Sequence, residues 1–293
     1  MRPTQGSVSL NSLNLALWLA ASLSIPPSLV HQNPGTQPRA KAGIKAQAPR
    51  LEMAEVKAVT NAIPDAADIE KIIAPIRVEI MASFEQPLVN SPKGLFRGRG
   101  VEENLLGYWI ADAMRIRGSV LSGAPVKFAI TNRGGVRANL RPGMLKVGDI
   151  FEVMPFDNEL VIMELTGEEV MQVVREGVLR RGGEPCSGVK VRVEGQPERP
   201  IVTTTWEDGT PIDPKAMVKV ATTDYLFNGG DSIPTLKKGR RPFTTGLPLR
   251  QVLLDMCGDL AKQKQDLVAP QGGRFLYSPE IAKAIIERRG LGN

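Results

Sequence analysis

Histidine and aromatic residues are scarce in this chain of 293 residues. His31 is its one histidine, and Phe, Trp and Tyr together make up 5% of the sequence. Histidine is the commonest metal ligand and a frequent general base in proteins. A site that depends on a cluster of histidines is therefore excluded, and the sequence predicts no metal ligands, no cofactor and no catalytic residue.

Acidic residues are absent from the first fifty positions. That segment carries five basic side chains, namely Arg2, Arg39, Lys41, Lys45 and Arg50. The whole chain has 37 basic and 31 acidic residues, and subtracting those five leaves 32 basic against 31 acidic residues in 51–293. Because a protein that follows the phosphates of a nucleic acid needs a basic surface on its folded part, we expect no nucleic-acid partner.

The N-terminal segment lacks an apolar run long enough to span a bilayer. Its apolar stretch runs from Leu13 to Leu23, and small residues with Pro26 and Pro27 follow. This is the length of the hydrophobic region of a signal peptide. We interpret residues 1–30 as a signal peptide that sends the protein to the periplasm or out of the cell, without a stable membrane anchor. A segment upstream of the true start codon and an uncleaved anchor are the alternatives.

Residues 33–50 contain neither an aromatic nor an acidic residue, a composition typical of a flexible linker. We assign residues 31–62 to a linker and residues 63–293 to one folded domain. Apolar residues recur at helical spacing from Ile69 to Phe84, with an interruption at Pro75.

Further helices and strands are predicted along the rest of the chain. Helical periodicity covers Leu105 to Met114, Gly167 to Gly177 and Leu249 to Lys264. Strand-like runs cover Val126 to Thr131, Glu159 to Leu165, Val189 to Val193 and Met217 to Thr222. Because the two types mix without a regular β-α-β alternation, the sequence predicts an α+β fold.

Cysteine occurs only twice, at Cys186 and Cys257. In an exported protein the two could pair, but Cys186 lies in a turn-like segment and Cys257 in a predicted helix. Sequence does not show whether they are close together. We expect two separate thiols, and a disulfide is the alternative.

Two segments that follow predicted strands carry polar or aromatic residues where loops present ligand-binding groups. In the first, Asn132 and Arg137 flank the glycine pair Gly134 and Gly135. Paired glycines permit a close backbone approach, and the flanking donors suit a phosphate or a carboxylate, although most such loops are simply tight turns. In the second, Phe156 follows a proline and would present its ring at a loop tip or pack it in the core.

A third segment follows the strand that ends near residue 222. It contains Tyr225, the glycine pair Gly229 and Gly230, and Asp231. The Asp231 carboxylate can accept two hydrogen bonds from neighbouring hydroxyl groups. The alternative is an Asn-Gly turn with a solvated aspartate.

Taken together, four motifs resemble the C-terminal domain of the 5′-nucleotidase family, which includes animal ecto-5′-nucleotidase and bacterial periplasmic UDP-sugar hydrolases. They are Glu103-Asn-Leu-Leu-Gly107 with the following Asp112-Ala-Met, Asn132-x-Gly-Gly-Val-Arg137, Val153-Met-Pro-Phe156 and Tyr225-Leu-Phe-Asn-Gly-Gly-Asp231. The resemblance covers about residues 63–290, with the motifs in the family's order and spacing. It implies a single layered α/β domain.

In that family this domain binds the substrate nucleotide and carries it to a separate metallophosphatase domain. The resemblance implies that Phe156 and Tyr225 sandwich the base and that Asp231 binds the ribose hydroxyls. It implies that Asn132 and Arg137 hold the ribose and phosphate side.

The phosphate side of the site has a further arginine in the family, just before the motif that contains Glu103. Arg97 and Arg99 are both candidates, because the motif here is shifted by one residue. Tyr225 replaces the phenylalanine usual at its position and keeps the stacking face. The glycines Gly134, Gly135, Gly229 and Gly230 complete the expected substrate-binding set.

The family's catalytic half holds a dinuclear metal site whose Asp, His and Asn motifs are missing from this chain. The resemblance therefore implies a nucleotide- or nucleoside-binding domain for nucleotide catabolism, with a separately encoded metallophosphatase as a candidate partner. A phosphohydrolase in its own right is the alternative. A structural or adhesion module that keeps the fold without a ligand is a third hypothesis, which the set Asn132, Arg137 and Asp231 disfavours.

Overall fold

The computed structural model describes residue 60 and residues 63–290. The predicted signal peptide, His31 and nearly all of the predicted linker lie outside the described residues. The described residues 63–290 belong to one compact unit. Among the described residues, no helix combines the length and apolar character needed to cross a membrane.

Helices and strands alternate irregularly along this unit. The helices are α1 (Ala67–Phe84), α2 (Leu105–Ser122), α3 (Val147–Val153), α4 (Gly167–Arg181), α5 (Asp224–Phe227), α6 (Leu249–Lys262) and α7 (Pro279–Gly290). The strands are β1 (Pro87–Ser91), β2 (Val126–Ile130), β3 (Gly143–Lys146), β4 (Glu159–Thr166), β5 (Cys186–Ser187), β6 (Val189–Gln196), β7 (Arg199–Trp206), β8 (Met217–Thr223), β9 (Arg240–Pro248) and β10 (Phe275–Tyr277). The predicted mixed fold is confirmed.

The largest sheet of the described part has five strands in the order β5-β2-β8-β4-β9. Only β2 and β8 run parallel in it, and the other neighbours are antiparallel. A second sheet has the order β10-β6-β7, and β1 pairs with β3. Because β2 and β8 are parallel neighbours, the loops that follow them leave the same edge of the sheet. Those loops carry the first and third of the segments predicted to bind a ligand.

Helix α2 packs along the central sheet and extends beyond the predicted end at Met114. Asn104 caps its N-terminus by accepting a hydrogen bond from the backbone N–H of Gly107 at 3.0 Å. Gly123, with φ of 62°, ends it in a left-handed conformation that glycine adopts without strain. Buried residues of α2 contribute to both hydrophobic clusters of the domain.

Helix α1 has no buried residue, in contrast to α2. It runs continuously through Pro75, where the sequence pattern suggested an interruption. Proline removes one helical hydrogen bond, and on an exposed helix water can satisfy the carbonyl that is left. At its C-terminal end Phe84 packs against Phe151 of α3, with ring centroids 4.6 Å apart.

The two cysteines are free and buried. Burial raises the pKa of the Cys186 and Cys257 thiols to about 12. The prediction of two separate thiols is confirmed, and neither thiol is reactive at neutral pH.

Candidate functional site

The loops that follow β2 and β8 meet through a direct contact between two predicted site residues. The Nδ2 group of Asn132 donates a hydrogen bond to Oδ2 of Asp231 at 2.7 Å. Asn132 is the last residue of an extended segment, and the next three residues form a short 3₁₀ turn. The first and third motifs, 99 residues apart in sequence, therefore form one site.

Asp231 is held from three directions. Besides Asn132, the Nη2 group of Arg180 donates to its Oδ1 at 2.7 Å, and the Tyr225 hydroxyl lies 3.3 Å from the same oxygen. Its side chain is only 10% exposed. Burial opposes ionisation of this carboxyl, but the bonds from Asn132 and Arg180 outweigh that effect and lower its pKa below the usual range. The alternative of a freely solvated aspartate is wrong.

The backbone that presents Asp231 is itself unusual. Asp231 and Ser232 have positive φ values of 54° and 55°, a conformation that residues other than glycine rarely adopt. Gly229 precedes them with φ of 96°, and a Cβ on Gly230 would lie 2.5 Å from the Tyr225 ring. The glycine pair therefore lets Tyr225 fold back over the loop, and the strained turn fixes the direction of the carboxylate.

Phe156 and Tyr225 are surface residues, with 45% and 43% of each exposed. Neither ring is a core side chain, and both are available to a ligand. Arg137 lies beside Phe156, with its guanidinium carbon 5.9 Å from the ring centroid, and its Nη1 donates to the carbonyl of Gly134 at 3.1 Å. Arg137 therefore connects the loop of Phe156 to the glycine pair.

A pocket of about 410 Å³ opens next to this group. It is lined by Arg97, Gly98, Arg99, Asn104, Arg133, Gly134, Asn139 and Arg181. Four guanidinium groups are among the lining side chains, and no lining residue is acidic. A pocket of this composition attracts a ligand with more than one negative charge.

Two of the pocket arginines are fixed by backbone carbonyls. Arg97 donates from Nη1 to the carbonyl of Val136 at 2.6 Å. Arg133 donates from Nε to Gly183 at 2.9 Å and from Nη1 to Gly98 at 3.1 Å. Carbonyl acceptors orient a guanidinium without neutralising its charge, so Arg97 and Arg133 keep their positive charge, whereas the Arg181 guanidinium lies 4.0 Å from Asp231 Oδ1 and is partly neutralised by it.

The pocket is continuous with the contact between Asn132 and Asp231. A Cβ placed on Gly134 would lie 3.4 Å from Asn132 Nδ2, 3.5 Å from Arg181 Nη1 and 3.9 Å from Asp231 Oδ2. Gly134 thus lies where these three side chains converge, and the lack of a side chain on it leaves space beside their polar atoms. A Cβ placed on Gly135 would lie only 2.9 Å from Asn132 Oδ1, so this position has no room for a side chain.

Glu184 forms hydrogen bonds with both Arg133 and Arg180. Its side chain is fully buried, accepts a hydrogen bond from the Arg133 backbone N–H at 2.7 Å, and lies 3.2 Å from Arg180 Nη1. Burial raises the pKa of Glu184, while the Arg133 backbone bond acts in the opposite direction. Arg180 also binds Asp231. The buried Glu184 carboxyl group therefore holds the loop of Gly134 directly, through the Arg133 backbone, and holds the Asp231 carboxylate indirectly, through Arg180.

Sequence reasoning missed Arg133, Arg180, Arg181 and Glu184. The available signal was the Arg180-Arg181 pair before two glycines, which is equally typical of basic residues that favour a helix C-terminus. Among residues 63–290 no group of three or more His, Cys, Asp or Glu side chains is placed to hold a metal ion.

The chain is similar in sequence to known proteins. Cell wall protein Lmo0130 of Listeria monocytogenes is 28% identical over 192 residues, which are 61% of this chain and 24% of that protein. The trifunctional nucleotide phosphoesterase protein YfkN of Bacillus subtilis is 30% identical over 141 residues, 44% of this chain and 10% of that protein. The chain therefore spans a quarter or less of the length of these curated relatives.

Solved structures share the fold. The 5′-nucleotidase precursor from Thermus thermophilus superposes with a TM-score of 0.61 at 26% identity, over 75% of this chain and 45% of that one. The NAD nucleotidase of Haemophilus influenzae has a TM-score of 0.54 at 20% identity, over 73% of this chain and 42% of that one, a likeness of fold alone. The family model described as "5′-nucleotidase, C-terminal domain" matches residues 86–238, more than half of the sequence, and the chain belongs to this family.

Proposed function

We propose that this protein is an exported nucleotide- or nucleoside-binding domain for nucleotide catabolism, and that a separately encoded metallophosphatase supplies the hydrolytic step. The observation that carries the proposal is the junction at Gly134. There the contact between Asn132 and Asp231 opens directly into an arginine pocket whose lining contains no acid. A hydroxyl-binding carboxylate beside a polyanion-binding pocket matches a ribose that carries phosphate.

The base end of the site uses the exposed rings of Phe156 and Tyr225. Stacking of a nucleobase on an aromatic ring contributes about 1 to 3 kcal/mol in nucleic-acid systems, and it buries ring surface that is now in water. Arg137 beside Phe156 adds a planar cation next to the same ring. We assign the two rings, and not Arg137, to the recognition of the base.

The ribose end uses Asp231. Each carboxylate oxygen has two acceptor positions; Asn132 occupies one on Oδ2, and Arg180 with the long contact from the Tyr225 hydroxyl occupies both on Oδ1. One position on Oδ2 is left for a ribose hydroxyl, and a second ribose hydroxyl would replace the Tyr225 hydroxyl on Oδ1. The depressed pKa keeps this carboxyl ionised at neutral pH, which strengthens the hydrogen bonds it accepts.

The phosphate end is assigned to the arginine pocket. Both Arg97 and Arg99, between which the sequence left a choice, line it, and Arg133 and Arg181 line it as well. Arg137 contacts Phe156 and the Gly134 carbonyl. Its proposed hydrogen bond to the phosphate nearest the ribose requires its side chain to turn towards the pocket when the ligand binds.

Binding is tested by isothermal titration calorimetry with adenosine, AMP, ATP and UDP-glucose. We expect saturable binding of adenosine and tighter binding of AMP, because the phosphate gains charge-assisted hydrogen bonds in the pocket. An Asp231→Asn variant serves as the control for the ribose contact. Absence of binding to all four ligands by folded protein would contradict the proposal and favour a structural module.

Catalysis is tested by phosphate release from AMP with Mn²⁺, Zn²⁺ or Co²⁺, with and without a chelator. We expect no release above background from the purified chain, because the metal-ligand motifs of the family's catalytic half are missing from its sequence. Metal-dependent turnover that disappears when a residue of this chain is mutated would instead establish a phosphohydrolase.

Export is supported by the apolar segment near the N-terminus and by a relative named as a cell wall protein. We expect the mature protein to begin between about Ala21 and Lys41 and to lie outside the cytoplasm. Intact-mass analysis of protein from the native host decides this, and a full-length cytosolic species would overturn it.

A further inference from the structure

The loop that carries Phe156 is anchored by one partly buried arginine of α6. Arg250 Nη2 donates to Oδ1 of Asp157 at 2.5 Å, and its Nη1 lies 3.3 Å from the carbonyl of Met154 and 3.5 Å from that of Phe156. The guanidinium therefore contacts the chain before, at and after the exposed ring.

Arg250 is itself held in place by aromatic packing. Its guanidinium carbon lies 4.5 Å from the centroid of the Phe151 ring, and Phe151 packs in turn on Phe84. The Arg250 side chain is only 16% exposed, whereas its partner Asp157 is 84% exposed. A planar guanidinium on a ring face loses little further conformational freedom when it forms hydrogen bonds, so it makes a rigid support.

The start of α6 adds a second anchor to the same loop. The backbone N–H of Leu249 donates to the carbonyl of Asn158 at 2.8 Å. The turn from residue 154 to residue 158 is thus fixed to a helix of the hydrophobic core rather than to strand pairing. An exposed aromatic ring needs such support, because a mobile loop would lose conformational entropy each time it bound a ligand.

We infer that Arg250 is a positioning residue for base recognition: it presents the face of Phe156 to the nucleobase and acts through that ring alone. The inference rests on the proposed function. It assigns a role to a residue that touches no part of the proposed ribose or phosphate sites. A purely structural role would instead lower the stability of the fold and the affinity for every ligand together.

The test compares Arg250→Gln with Arg117→Gln as a matched control. Arg117 donates to Asp255 of the same helix α6 at 3.1 Å, so its replacement also removes an ion pair from α6 but leaves the Phe156 loop untouched. Calorimetry is performed with adenosine and with ribose 5-phosphate, which lacks the base. We expect Arg250→Gln to weaken adenosine roughly fivefold or more, approaching the loss in Phe156→Ala, and to leave ribose 5-phosphate unchanged.

A double-mutant cycle separates positioning from stability. In a Phe156→Ala background, Arg250→Gln should cost no further adenosine affinity, because the ring through which it acts is already absent. An equal loss in both backgrounds, an equal loss of ribose 5-phosphate, or no loss of adenosine would overturn the inference.

A ligand-independent measurement distinguishes this failure from failure of the proposed function. Backbone NMR order parameters at Phe156, Asp157 and Asn158 should fall below about 0.6 in Arg250→Gln and stay near 0.85 in Arg117→Gln. If the unmodified protein binds no nucleoside, the proposed function fails, while the order parameters still decide whether Arg250 positions the loop. Unchanged order parameters in Arg250→Gln would overturn the positioning role.

Discussion

The two ends of the candidate site are built in opposite ways. At the aromatic end, Phe156 lies in a loop and Tyr225 in the short helix α5, and nearly half of each residue is exposed. At the arginine end, Arg97 and Arg133 are hydrogen-bonded to backbone carbonyls, and the Glu184 side chain, which accepts a hydrogen bond from the Arg133 backbone, is completely buried. Under the proposed function, the aromatic end would gain binding energy by burying surface that a ligand newly covers, whereas the arginine end holds positive charge that the fold orients before any ligand arrives.

This difference predicts how the two ends respond to mutation. Changes in the network of Arg133, Arg180 and Glu184 at the arginine end should affect stability and binding together, because its acceptor Glu184 is completely buried. Changes at the aromatic end should affect binding alone, because the exposed rings contribute little to the folded core.

The largest effect on stability is expected for Glu184→Ala. It leaves the Arg133 backbone N–H and the Arg180 guanidinium without their buried acceptor. We expect a loss of about 2 to 4 kcal/mol in the free energy of unfolding. Urea denaturation measures it, with Phe156→Ala as the comparison within about 0.5 kcal/mol of the unmodified protein. Similar losses of unfolding free energy in Glu184→Ala and Phe156→Ala would contradict the expected difference in stability between the arginine end and the aromatic end.

The largest effect on binding without loss of stability is expected for Tyr225→Ala. Loss of about 1 to 3 kcal/mol of stacking weakens adenosine about 5- to 150-fold, and Phe156→Ala should act similarly. Tyr225→Phe is the matched control and should be nearly neutral, because the hydroxyl contact to Asp231 is long at 3.3 Å. If Tyr225→Ala binds adenosine normally, the ring does not stack on the base.

A smaller, ligand-dependent effect is expected for Arg137→Ala, which lies between the two ends. Its guanidinium contacts Phe156 and the Gly134 carbonyl, so adenosine should weaken slightly and AMP more strongly. Calorimetric titrations of adenosine and of AMP into the unmodified protein and into Arg137→Ala measure the two losses of affinity. Equal losses for adenosine and AMP would place Arg137 entirely at the aromatic end and remove its phosphate role.

The smallest effect is expected for the pH dependence of the Asp231 network. Because the folded protein lowers the pKa of Asp231, its carboxylate contributes stability that is present above the unfolded value of about 3.9 and lost as the pH falls through the folded value. The stability difference between the unmodified protein and Asp231→Asn, about 1 kcal/mol at neutral pH, should therefore shrink below about pH 4. Urea titrations from pH 3 to pH 7 measure it, and a constant difference would contradict it.

Much of the fold could be predicted from periodicity and capping. The spacing of Thr166 and Glu169 is that of a capping box, and both reciprocal hydrogen bonds are present at 2.9 and 3.2 Å. The predicted strands near Val126, Glu159, Val189 and Met217 are all present, each within a few residues of its expected end.

The site was only half visible in the sequence. Asn132 and Asp231 could be paired because each follows a strand and belongs to a recognisable motif. Arg181 and Glu184 could not, since they come from a helix end and the turn after it, and only the packing of α4 against the sheet brings them to the glycine loop. A charge that acts by position in space leaves no periodic pattern in the chain.

The absence of any buried side chain on α1 has a consequence for how the protein unfolds. A helix without a buried residue, which packs its Phe84 on Phe151 only at its C-terminal end, is little protected by the cooperative unfolding of the core, so the backbone of its earlier turns should open and close as a local helix-to-coil equilibrium. With 18 residues and an internal Pro75, that equilibrium is finely balanced. The amides of α1 should exchange with solvent orders of magnitude faster than those of α2, and a protease should cut the chain within α1 before it cuts the rest of the domain.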